Sequence, residues 1–102
     1  MITETAYIGR DNTIDIQLLE DGVAVDLSGV TRMTLAFEGA VIADSNEDPG
    51  VFDWDNGNGV VILKLGGLVG LTAGIYHTRL VVYDPINTNG IAWEDFICRV
   101  SN

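Results

Sequence analysis

Cysteine is almost missing from this 102-residue chain: Cys98 stands alone. One thiol cannot close an intramolecular disulfide, so no disulfide framework supports the fold, and a reducing compartment of synthesis is expected. Basic residues are nearly as scarce. Five Lys and Arg face 15 Asp and Glu, a formal charge of −10. That balance argues against nucleic acid and anionic membranes as partners, because both call for a basic footprint. Apolar runs such as Val60 to Leu63 fall far short of the roughly 20 residues that cross a bilayer as a helix. Met1 to Arg10 lacks the basic start and apolar stretch of a signal peptide. With no repeat and no long linker, residues 11–102 are expected to form a single domain, with residues 1–10 as an N-terminal arm that orders on a neighbouring protein, where Ile2, Ala6 and Ile8 could pair as an added strand.

The scarcity extends to catalytic chemistry. His77 is the only histidine, so a Ser-His-Asp or Cys-His arrangement would depend wholly on it, and local spacing supplies no partner. His77 and Cys98 do not form the paired pattern of a zinc site. The carboxylate pairs Asp53/Asp55 and Glu94/Asp95 would need a cleft to do acid–base work, and the loops are too short to build one. No glycine-rich phosphate loop opens a helix. The chain is therefore expected to be no enzyme and to carry no cofactor. One loop suggests a metal: Asp44, Asn46 and Asp48 offer oxygens at alternating positions, as calcium requires. Pro49 then occupies the place where a calcium loop of the helix-loop-helix type needs Gly, so a solvated turn is the favoured reading and calcium the weak alternative.

What the chain has in abundance is alternation. Thr13 to Leu18 alternates with a period of two, and Asp21-Gly22 then signals a tight hairpin into Val23-Ala24-Val25. Met33, Leu35 and Phe37 alternate with Arg32, Thr34 and Ala36, and Glu38-Gly39 turns the chain into Val41-Ile42-Ala43. Val51 to Trp54 reads as a short strand, with Trp54 inward between the outward Asp53 and Asp55, and Asn56 to Gly59 as a turn. Val60 to Leu65 buries Val61, Leu63 and Leu65. Two long strands follow, Ile75 to Tyr83 and Ile91 to Val100. No segment carries a capped helical pattern. The expected class is all-β: an immunoglobulin-like antiparallel β-sandwich of about seven to eight strands.

Thr72-Ala73-Gly74-Ile75-Tyr76 resembles the corner of immunoglobulin-like sandwiches, where a Tyr hydroxyl bonds backbone upstream. Thr78 stands where antibody domains carry their second disulfide cysteine. If Tyr76 points inward with Thr78, Leu80 and Val82, then His77, Arg79, Val81 and Tyr83 face outward with Ile75. Trp93, Asp95, Ile97 and Arg99 do the same in the last strand. An outer face so apolar, with aromatic and Arg side chains, suits protein contacts. The interface candidates are Tyr83, Trp93, Val81, Ile97, His77 and Arg79.

The succession Asp11-Asn12-Thr13-Ile14, Asp26-Leu27-Ser28-Gly29-Val30-Thr31, Ala73-Gly74-Ile75-Tyr76, Val81-Val82-Tyr83-Asp84 and Gly90-Ile91-Ala92-Trp93 resembles small structural proteins of tailed bacteriophages. It is similar in particular to the N-terminal immunoglobulin-like domain of phage baseplate upper proteins. The resemblance implies a virion component of the tail, baseplate or fibre attachment region, made in the bacterial cytoplasm, that docks other virion proteins or its own copies and has no catalytic residues. A head decoration protein is the alternative place in the particle. A carbohydrate-binding sandwich stacking sugars on Trp54 or Trp93 is a third reading.

Overall fold

A computed structural model describes residues 3–55 and 57–102, with the backbone alone for Glu94. Ile2 of the expected arm, Asn56 of the expected turn and the carboxylate of Glu94 lie outside the described residues. The strands are β1 (Thr3–Tyr7), β2 (Thr13–Gln17), β3 (Leu19–Glu20), β4 (Val23–Ala24), β5 (Arg32–Phe37), β6 (Ile42–Asp44), β7 (Phe52–Asp55), β8 (Val60–Lys64), β9 (Gly74–Tyr83) and β10 (Ile91–Ser101). No helix occurs among the described residues, and none is long and apolar enough to cross a membrane.

Two sheets form the sandwich. The larger has the order β1-β10-β9-β5-β6 and the smaller β2-β8-β7. Alternation gives each strand one apolar face, and the two sheets bury these faces against each other. Met33, Leu35 and Phe37 of β5, Leu80 and Val82 of β9, and Phe96, Cys98 and Val100 of β10 line the inner face of the large sheet. Ile14 of β2, Phe52 of β7 and Val61 and Leu63 of β8 close over them, with Leu27, Leu65 and Leu71 filling the ends. Trp54 packs half-buried on this core while Asp53 and Asp55 are exposed, as the alternation predicts. Truncating a buried side chain such as Leu35 would cost about 2–5 kcal/mol. Thr78 is buried at the position of the absent cysteine, and its hydroxyl donates to the Tyr76 carbonyl at 3.2 Å. Among the described residues no buried side-chain polar atom lacks a partner.

The β-sandwich is as expected from sequence, with three differences in pairing. Asp21 and Gly22, both at positive φ, make the tight hairpin turn. The ladder they close is only Leu19–Glu20 against Val23–Ala24, and β2 pairs instead with the distant β8. Thr3–Tyr7, within the expected arm, runs parallel to Ile97–Ser101 at the edge of the large sheet, the one parallel pairing among the described strands. In β10 the register shifts between Ala92 and Glu94, a bulge at Trp93. That extra residue turns Trp93 to pack half-buried against the core cluster, where strict alternation places it outward.

Loops gather at the two ends. At one, the Leu18 amide donates to the Gly59 carbonyl at 2.8 Å and the Thr31 amide to the Tyr83 carbonyl at 3.0 Å. At the other, the Gly9 amide donates to the Gly66 carbonyl at 2.8 Å. The connection at Gly66 leaves no room for a side chain: a Cβ there would lie 2.0 Å from the Arg10 carbonyl oxygen.

Candidate interaction surface

The outer face of the large sheet is laid out by the registers of its strands. Arg79 pairs with Asp95 on one side and Ala36 on the other, and Ala36 pairs in turn with Ile42. His77 sits opposite Ile97, Ile75 opposite Arg99, Val81 opposite Thr34, and Tyr83 opposite Arg32. Residues directly opposed share a face, so this one surface collects Tyr83, Val81, Arg79, His77 and Ile97 from the six candidates. Trp93 is the exception, drawn toward the core by the bulge.

Two strong ion pairs close within the sheet. Arg79 forks onto Asp95 at 2.8 and 3.0 Å, and the guanidinium holds the Asp95 carboxyl below its usual range. Arg32 forks onto Asp44 across the β5–β6 hairpin and lies 4.6 Å from the centre of the Tyr83 ring. The same guanidinium lowers Asp44. His77 Nδ1 lies 3.5 Å from Glu38 Oε2.

Apolar groups fill the space between the ion pairs. Val81 and Tyr83 are half-buried, and a reason is visible at Gly90. With φ of +82°, this glycine folds the loop back so closely that a Cβ would lie 2.4 Å from Val81 Cγ1 and 2.7 Å from Tyr83 Cε2. Ile97 is also half-buried. The most exposed apolar side chains on the face are Ile75 and Ile42, at 73% and 70%. Ile42 was missed as a site residue although it lies in the alternating hairpin, and Ile75 was placed outward without being singled out. Between them lies an open depression of about 350 Å³ lined by Ala36, Glu38, His77, Thr78, Arg79 and Asp95.

The acidic loop is put to other use. Asp44 accepts from Arg32 and from the Asn46 amide at 3.0 Å, and its carbonyl accepts from Glu47 and Asp48. Its carboxylate is thus occupied in holding the turn. Among the described residues no three His, Cys, Asp or Glu side chains come together in a way that could hold a metal ion. Both tryptophans pack half-buried against the core cluster.

No family model matches this chain, and no curated protein does. Among solved structures it is similar to one described as "N-terminal domain of phage TP901-1 ORF48". The neighbour is a phage protein. The superposition covers 100% of this chain and 86% of that one, with a TM-score of 0.65 and 15% sequence identity. At that identity the likeness is one of fold, and it extends over the whole length of this chain.

Proposed function

We propose that this chain is a non-enzymatic structural module of a bacteriophage virion, working through protein–protein contacts in the tail, baseplate or fibre attachment region. The observation that carries the reading is the end-to-end fold likeness to a domain of a phage protein. The surface supports it. A broad sheet face with paired charges, exposed isoleucines and an Arg stacked on Tyr has the mixture found at protein interfaces. Its depression is open, and the Asp95 and Glu38 carboxylates in its lining lie against Arg79 and His77, which suits docking. The partners are other virion proteins or further copies, and the module is made in the bacterial cytoplasm, where a lone buried thiol is at home.

Mass spectrometry of separated heads and tails from purified particles tests this assignment. The chain is expected in the tail fraction. Recovery with heads alone would move it to a decoration role, and absence from both fractions would overturn the virion reading.

A further inference from the structure

Charge is spread unevenly over the molecule. Among the described side chains that the strand registers place on the outer face of the large sheet, Arg32, Arg79 and Arg99 stand against Glu38, Asp44 and Asp95, three charges of each sign. Most of the formal −10 therefore comes from elsewhere in the chain, where Arg10 and Lys64 are the only other basic residues. Any two copies repel through those other surfaces, since like charge brought against like costs association energy.

We propose that the occupant of this face is a second copy of the chain, docked sheet to sheet about a two-fold axis. An isologous contact sets a patch against itself, so the patch must hold both halves of every complement. This one does. It carries equal numbers of positive and negative groups, and it has both protrusions and a hollow. Ile42 and Ile75, 70% and 73% exposed, flank the depression floored by Ala36 and Thr78. Facing sheets pack about 10 Å apart with their side chains interleaved, the arrangement such relief allows. A basic partner would be drawn instead to the acidic remainder. The inference rests on the outer-face docking reading above and names what docks there.

Sedimentation velocity of the purified full chain decides it. The expected particle has twice the 11.0 kDa chain mass. Dimerisation should tighten from about 0.01 M to about 1 M salt, as the screening length shrinks from about 30 to about 3 Å and residual repulsion fades. Ile42→Glu combined with Ile75→Glu is expected to weaken dimerisation by roughly tenfold or more, with the unfolding temperature of the monomer unchanged. Ile75→Glu alone reads the same contact with a single change. Ile86→Glu, on an end loop at a residue 91% exposed, should leave the dimer intact. A wild-type monomer at every concentration and salt overturns the proposal. So does a dimer that salt disperses or that ignores both isoleucine changes. Because the measurement uses the isolated chain, its failure leaves the particle assignment standing, and absence from particles leaves the dimer standing.

Discussion

The hydroxyl of Tyr76 donates a 2.8 Å hydrogen bond to the carbonyl of Thr72, four residues back along the chain. The Thr72 hydroxyl lies 3.1 Å from the Tyr76 hydroxyl oxygen. The Tyr76 ring meets Phe37 edge-on, with centroids 5.9 Å apart. One side chain thus ties the connection before β9 to the core of the large sheet, in a sandwich that has no disulfide to hold its layers.

Tyr76→Phe keeps the ring and removes the bond. The loss should be about 1 kcal/mol, the usual net value of one hydrogen bond. For a domain of this size it appears as an unfolding temperature lower by about 4–8 °C. Differential scanning calorimetry reads it directly, and an unchanged temperature would mean that the corner contributes nothing.

Gly66 and Gly67 are neighbours with opposite tolerance. A Cβ on Gly66 would drive into the Arg10 and Tyr7 backbone, while one on Gly67 meets nothing within 4 Å. Gly66→Ala should therefore destabilise by at least the roughly 1–3 kcal/mol of an overpacked site, and Gly67→Ala should be near neutral. Urea denaturation of the two variants side by side is the check.

Cys98 is fully buried, and burial, aided by the charge of Glu4, pushes its thiol up to about 11. An acid whose pKa rises on folding adds stability that is complete below the unfolded value, near 8.5, and is lost as pH climbs through the folded one. Stability should fall through that window, and the fall should be smaller in Cys98→Ala. Thiol reagents should label the native protein far more slowly than the urea-unfolded chain.

Acid acts in the opposite direction. Asp26, Asp44, Asp55, Asp84 and Asp95 are all held below the usual carboxylate range, by the Ser28 amide, Arg32, Asn58, the Asn87 amide and Arg79 in turn. Lowered values contribute stability above the unfolded pKa of about 4 that is lost as pH falls through the depressed ones. Asp95→Asn should lower the unfolding temperature at neutral pH, and its difference from wild type should shrink below about pH 4. A constant difference across that range would count against the pairing with Arg79.

Most of the core was legible because alternation is local. Val61, Leu63 and Leu65 had to face one way once Lys64 faced the other, and Thr78, Leu80 and Val82 followed Tyr76 inward. Pairing was legible only where a turn was short. The Asp21-Gly22 hairpin was visible, yet β2 turns away from it to join β8, a choice made by packing across more than 40 residues. Trp93 shows the limit at finer scale. A bulge inserts one residue, and nothing in Ala92-Trp93-Glu94 marks where the period slips. The Arg32–Asp44 and Arg79–Asp95 pairs were hidden for a related reason: Arg79 stands directly opposite Asp95, and Arg32 reaches Asp44 diagonally past Thr34, neighbours that only a known register reveals. The outer face was therefore readable as apolar before it could be read as neutral.

The parallel pairing of β1 with β10 has a mechanical meaning. Thr3 lies beside Ile97 and Tyr7 beside Ser101, so a pull applied outward at Thr3 and Ser101 slides the two strands past one another. Their hydrogen bonds then strain together along the sliding direction, whereas an end-to-end hairpin would open one rung at a time. Tension between these two strand ends meets the whole β1 ladder at once.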